Sequence, residues 1–183
     1  ALMERAGQGV VDAIFAEWPQ LGNGARSEVS TPDGAEREAS LSRSPKYLEP
    51  KEDGSRRAVV LCGPGNNGGD GFVVARILVE AGWVVEVFLY GGAEKLPPDA
   101  RANCEKWREL GGVADWDDDT IEVLLTEGDC DLVIDALFGI GLSRPMPHDT
   151  RQARRGMMAG AGTSEVNSAR PRCVAIDVPS GLC

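Results

Sequence analysis

Three acids, two amides and a hydroxyl stand where apolar runs give way to glycine and proline. Ala58-Val59-Val60-Leu61-Cys62 runs into Gly63-Pro64-Gly65-Asn66-Asn67-Gly68-Gly69-Asp70-Gly71, with the apolar, helix-spaced Phe72-Val73-Val74-Ala75-Arg76-Ile77-Leu78 beyond it. Strand, tight loop and helix N-terminus in that order leave backbone N–H groups unpaired beside the positive end of a helix dipole. That is a place for an anion, most often a phosphate. Asp135 lies in Asp131-Leu132-Val133-Ile134-Asp135-Ala136-Leu137-Phe138, which leads into Gly139-Ile140-Gly141-Leu142-Ser143-Arg144-Pro145. Asp177 ends Cys173-Val174-Ala175-Ile176-Asp177, ahead of Val178-Pro179-Ser180-Gly181. An acid closing an apolar strand is costly without a partner, so a cation or N–H donors are expected at Asp135 and Asp177.

The elements that must position these residues follow from periodicity. Leu2, Met3, Ala6, Val10, Ile14 and Phe15 recur at three- and four-residue steps, which predicts an amphipathic helix ending near Trp18-Pro19. Trp83 to Tyr90 reads as a second strand, Pro97 to Leu110 as a helix stopped by Gly111-Gly112, and Val113 to Trp116 as a short strand. Asp117, Asp118 and Asp119 precede Ile121, Val123, Leu124 and Leu125, where acids suit a helix start better than a metal site. Thr150 to Met158 is a weaker helix, interrupted by glycine. The segment 21–56 turns to Gly, Ser, Pro, Glu and Arg and is expected to be a disordered insertion. Apolar strands alternating with helices imply a mainly parallel sheet covered on both faces, with all three special loops at its carboxyl edge.

Composition narrows the partners. The 183 residues suffice for one domain with a sizeable core, and 42% apolar against 26% charged residues is ordinary for a globular chain. A net charge of −10 disfavours nucleic acid and anionic membrane, and no apolar run approaches the ~20 residues of a span. Cys62, Cys104, Cys130, Cys173 and Cys183 are odd in number and not spaced as zinc ligands. Reduced buried thiols in an intracellular protein are the expectation. A chain opening on Ala1 and stopping at Cys183 reads as one domain incomplete at both ends, and the choice between cytoplasm and mitochondrion stays open.

Neither standard nucleotide motif accounts for the first loop. Residues 63–68 match G-x-G-x-x-G, yet the next strand ends Phe88-Leu89-Tyr90-Gly91 without the acid that holds a ribose. No lysine follows the glycines, so the phosphate-loop pattern fails. Asp70 as an N-cap for a helix starting at Gly71 or Phe72 weighs about equally with ligand contact. For Asp177 the plain alternative is an Asx turn, and for Ser180 completion of its own turn. The single histidine, His148, supports no nucleophilic triad.

Four segments, LMERAGQGVVDAI, VLCGPGNNGGDGFVVARIL, DLVIDALFGIGLSRPM and VAIDVPSGL, follow in the order and wording of the NAD(P)H-hydrate epimerase family, the YjeF N-terminal domain. The resemblance implies a Rossmann-like three-layer α/β/α fold, here C-terminally truncated. It also implies interconversion of the R and S epimers of hydrated NADH and NADPH (NADHX and NADPHX) for a partner dehydratase. Carried over by motif, Asn66, Asn67, Gly68, Gly69 and Asp70, the loop Gly139, Ile140, Gly141, Leu142, Ser143, Arg144 and Pro145, and Asp177 contact the substrate. Asn67, Asp135 and Ser180 would hold a potassium ion, one per subunit, and one carboxylate among neutral oxygens suits a monovalent cation. Asp177 is the expected general acid/base. Glycines at 139 and 141 would let backbone N–H groups approach phosphates, with Arg144 adding a bidentate contact. A homodimer is admitted but not required. The family's animal members, also known as apolipoprotein A-I-binding proteins, supply the alternative of a non-catalytic scaffold. An ordinary oxidoreductase is disfavoured by the strand end at Tyr90.

Overall fold

The computed structural model describes residues 2–22, 55–126, 130–141, 145–160 and 171–180. In chain order these form helix α1 (Leu2–Glu17), the short α2 (Pro19–Gly22), strand β1 (Arg57–Cys62), α3 (Asn66–Glu80), β2 (Val84–Leu89), α4 (Pro98–Arg108), β3 (Ala114–Asp115), α5 (Asp118–Thr126), β4 (Leu132–Ala136), α6 (Arg151–Gly160) and β5 (Arg172–Ala175). All strand pairs are parallel, in the order β3-β2-β1-β4-β5. The chain runs outward from β1 to β3, then returns to the far side of β1. That reversal makes the ends of β1 and β4 the switch point, where a sheet of this kind takes its ligand.

Side-chain alternation along the strands sorts the core into two layers. Ala58, Val60, Cys62, Leu132, Ile134 and Ala136 pack with Val11 and Ile14 of α1, Phe72, Val74 and Leu78 of α3, and Cys104 and Trp107 of α4. Val59, Leu61 and Val133 point the other way, onto Ile121, Leu124 and Leu125 of α5 and Ala153 and Met157 of α6. Helices therefore cover both faces of the parallel sheet, as the alternation of elements requires. Among the described residues, no helix is long and apolar enough to cross a membrane.

The helix after β1 starts earlier than its apolar pattern suggests. It begins at Asn66, behind an N-cap at Gly65 in extended backbone and without a side-chain capping bond. An N-cap role for Asp70 is thereby overturned, since Asp70 lies in the second turn. The glycines that obscure the start are packing residues. A Cβ at Gly63 would stand 1.7 Å from Leu137 O, one at Gly68 2.0 Å from Gly63 O, and one at Gly71 2.7 Å from Ala136 Cβ. Real side chains never approach so closely, so α3 can rest directly on the ends of β1 and β4 only with glycine at these positions.

Other expectations meet the structure with small shifts. Asp117 caps α5 by accepting from Thr120 N–H and Oγ1–H, and the neighbouring Asp118 caps a different helix, accepting from Gln152 N–H at 2.8 Å and Ala153 N–H at 2.9 Å in α6. Gly156 does not break α6: its missing side chain admits Leu125, whose Cβ would lie 3.0 Å from a Cβ there. For the expected disordered segment 21–56, residues 23–54 lie outside the described residues. At its edges Leu21 is buried in α2, while Arg56 lies over the Trp83 ring and donates to Gln20 O.

Candidate active site

The three loops meet. Gly63 N–H donates to Ala136 O at 2.9 Å, which joins the end of β1 to the end of β4. The turn after β5 is tied to β4 through Asp135, which is 3% exposed. Asp135 Oδ2 accepts Ser180 N–H at 2.7 Å, and Oδ1 accepts Ser180 Oγ–H at 2.6 Å and Leu137 N–H at 3.2 Å. Ser180 Oγ in turn accepts Phe138 N–H at 3.2 Å. The buried carboxylate expected to need a cation or N–H donors thus has two amides and a hydroxyl on it. Ser180 does more than complete its turn, because both its donors reach across to another strand.

Asp177 is exposed, and its Oδ2 accepts Ile140 N–H at 2.9 Å. This is not the local Asx turn its sequence setting allowed but a link between the loops after β5 and β4. Gly139 makes the link possible, since a Cβ there would lie 2.3 Å from Asp177 Oδ2. The glycine expected to let a phosphate approach makes room for a carboxylate, and the Ile140 N–H is already engaged by it. Gly141 by contrast has nothing within 4 Å of where a Cβ would be. Ile140 is 77% exposed, and Gly141 and Pro145 are exposed as well. Leu142, Ser143 and Arg144 lie outside the described residues.

Asn66, Asn67, Gly68 and Gly69 form the opening turn of α3, with Asn66 exposed and the two glycines buried. Asn67 is half-buried, and its amide nitrogen is buried without a hydrogen-bond partner. Asp70 is half-buried too, and burial pushes its carboxyl above the ordinary range, with the charge of Asp177 adding to the effect. Two acids from α3 and from the end of β5 therefore feel each other at one sheet edge.

Two participants carry no sequence signal. The amides of Leu137 and Phe138 act through their backbone, where any residue type would serve. The described thiols are poor nucleophiles: Cys62, Cys104 and Cys130 are buried, and burial pushes Cys62 far up and, with the charge of Asp135 adding to it, Cys173 up to about 12, so Cys62 and Cys173 stay protonated. Among the described residues there is no group of three or more His, Cys, Asp or Glu that could hold a metal.

A family model described as YjeF-related protein N-terminus matches residues 1–183. The chain belongs to that family. Its YjeF-type fold is similar to the crystal structure of yeast ynu0, YNL200c, with a TM-score of 0.65 and 25% identity over 98% of this chain and 60% of the yeast one. The NAD(P)H-hydrate epimerase of Rhodobacter capsulatus is 40% identical over 98% of this chain and 65% of its own length. That of Roseobacter litoralis is 38% identical over 99% and 68%. The bifunctional NAD(P)H-hydrate repair enzyme Nnr of Moorella thermoacetica is 36% identical over 91% of this chain and 31% of its own length. The YjeF-type chain thus spans about two thirds of the epimerases it matches.

Proposed function

We propose that the protein to which this domain belongs epimerises the R and S forms of hydrated NADH and NADPH in nicotinamide nucleotide repair. The observation that carries the reading is the joining of three strand-end loops, the first to the second through Gly63–Ala136 and the second to the third through Asp135–Ser180 and Asp177–Ile140, in a family whose relatives bear the epimerase name. The substrate contacts would be Asn66 to Asp70, Gly139 to Pro145 and Asp177.

The reaction inverts a carbinolamine carbon of the reduced nicotinamide ring. Through an iminium, a proton goes to the hydroxyl, water leaves, water returns to the opposite face, and its surplus proton goes back to the donor. Ring opening and reclosure needs the same loan of a proton. Water leaves with the C–O bonding pair and brings one back on its return, so the substrate is neither oxidised nor reduced and no hydride acceptor is called for. Asp177 suits the proton-transfer role. Its Oδ2 is fixed by the Ile140 amide, and among the described residues Oδ1 carries no hydrogen bond. A carboxylate with one oxygen anchored can lend a proton from the other without losing its place.

The donor set fits potassium. Asp135 supplies one carboxylate, Ser180 a hydroxyl oxygen, and Asn67 an amide whose buried end has no protein partner. Turned about its last bond, that amide brings its carbonyl oxygen to the same buried place, where a cation would satisfy it. One potassium ion per subunit would neutralise Asp135 and hold the three loops in register. Asp135 and Ser180 remain positioning groups in that scheme, while Asn67 would touch both the cation and the substrate.

A stereospecific NAD(P)H-hydrate dehydratase is the functional partner, since epimerisation is useful only where one epimer is consumed. The name of the bifunctional relative supports that pairing. The test mixes the full-length parent protein with an epimer mixture and such a dehydratase. Consumption beyond the competent epimer is expected, faster with potassium than without. Wild-type protein that leaves the wrong epimer untouched overturns the reaction. Near-normal epimerisation by Asp177→Asn, which keeps an oxygen for the Ile140 amide, removes Asp177 from proton transfer.

A further inference from the structure

Tyr90 is the first residue past β2, where a dinucleotide-binding sheet ordinarily carries its ribose-holding acid. Its N–H extends the sheet ladder by donating to Cys62 O at 2.8 Å. The ring meets Phe138 edge-on, with centroids 5.8 Å apart at 70°, and Trp116 at 5.4 Å and 88°. The Tyr90 hydroxyl donates to Asp149 Oδ1 at 2.9 Å, and Trp116 Nε1–H donates to the Asp149 carbonyl at 2.9 Å.

Phe138 opens the connection after β4, and Asp149 closes it in the 3₁₀ turn His148–Thr150 that leads into α6. Tyr90 therefore touches both ends of the connection that carries Gly139, Ile140, Gly141 and Pro145. Phe138 is held from its other side by Ser180. Beyond Asp149, Asp118 caps α6 independently of the tyrosine. Loss of the tyrosine hydroxyl would thus leave Asp149 held from this side by the Trp116 bond to its carbonyl alone, loosening one end of the connection without unseating the helix.

We propose that Tyr90 is a positioning residue, a clasp between Phe138 and Asp149 that sets the places of Gly139, Ile140 and Gly141 for a dinucleotide substrate. The substrate half of this inference rests on the reaction proposed above. The strand end that lacks a ribose acid has exchanged a direct ligand contact for control of the neighbouring loop. Burial, followed by the hydrogen bond to Asp149 and that residue's charge, pushes the Tyr90 hydroxyl up to about 12, so the donor proton stays in place over the working range.

The test uses the full-length protein and the variants Tyr90→Phe, Asp149→Ala and Asp149→Asn. Tyr90→Phe keeps the edge-on ring contacts and removes one net hydrogen bond, so KM for NADPHX should rise about twofold to tenfold with kcat little changed. Asp149→Asn keeps an acceptor oxygen and should behave as wild type. Asp149→Ala should match Tyr90→Phe, and the double variant should be no worse than the worse single one. Hydrogen exchange over 138–149 should quicken in Tyr90→Phe while α3 and β1 stay protected. Unchanged exchange there overturns the clasp, and quickened exchange with unchanged KM overturns its role in binding. A wild-type protein without epimerase activity would sink the reaction, while the exchange experiment would still decide the clasp.

Discussion

Ser180 holds Asp135 by both of its donors, the hydroxyl at 2.6 Å and the backbone amide at 2.7 Å, across the ends of two neighbouring strands. Removing the hydroxyl in Ser180→Ala leaves Phe138 N–H without its acceptor and strips Asp135 of its shortest bond. Stability should fall by about 1–3 kcal/mol, the cost of an unsatisfied buried group. Urea unfolding with an unchanged m-value would show it, and epimerisation should fall further than stability accounts for. A variant as stable as wild type would mean that the pair contributes nothing to the fold.

Gly63 and Gly139 are both tight, but against different obstacles. Gly63→Ala drives a Cβ into the Leu137 carbonyl, so a loss on the order of 2–3 kcal/mol or more is expected. Gly139→Ala meets only the Asp177 carboxylate, which can swing away from Ile140. Thermal unfolding should shift little in that variant, whereas epimerisation should drop about tenfold or more as the proposed proton donor is displaced. Equal melting temperatures for the two alanine variants would contradict this division.

Asp70 carries a raised pKa because it is partly buried and close to the charge of Asp177. For an acid raised in the fold, the stabilising effect of protonation is full below the ordinary carboxylate pKa and is lost as pH rises through the raised one. Neutral pH is therefore unfavourable for this residue, and Asp70→Asn should be slightly more stable than wild type at pH 7 while losing activity. The gain should stay below about 1 kcal/mol, since half-exposed charges are screened. It should shrink toward acid pH. Denaturation curves between pH 4 and pH 8 test the sign, and a destabilised Asp70→Asn at pH 7 would be the wrong one.

Glu4 behaves oppositely. Hydrogen bonds from Lys106 at 3.0 Å and from Arg76 at 2.6 and 2.7 Å, with the charges of both, hold its carboxyl below the ordinary range against a smaller burial effect. The contact ties α1 to α3 and α4. Its contribution is present above the ordinary carboxylate pKa and is lost as pH falls through the lowered one. Glu4→Gln should cost about 1 kcal/mol or less at pH 7, because the Glu4 side chain is 40% exposed. The difference from wild type should vanish in acid, as chemical denaturation across pH would show.

The sequence by itself determined the sheet and the edge at which the candidate site was expected. Apolar runs such as Val59 to Leu61 and Leu132 to Ile134 can be stable only when buried on both faces, and parallel strands place their following loops at one edge. The acid at 135 was legible as a group needing partners because an apolar strand is a poor place for a lone charge, whereas Asp177 stands exposed beyond the end of β5 and takes its Ile140 partner for a reason burial does not supply. The start of α3 was not legible, since helix propensity reads Gly68, Gly69 and Gly71 as loop. Only the packing of Gly68 onto Gly63, Gly69 onto Ala100 and Gly71 onto Ala136 shows why a helix there must be built from glycine.

Tertiary structure alone decided who the partners are. Asp135 finds Ser180 and Asp177 finds Ile140 across distances in sequence that no local pattern spans. Tyr90 and Asp149 meet because β2 and the entry to α6 come together at the same sheet edge. Residue type sets what a group can donate, accept or carry as charge, and the order β3-β2-β1-β4-β5 sets which of those groups stand within a hydrogen bond of one another.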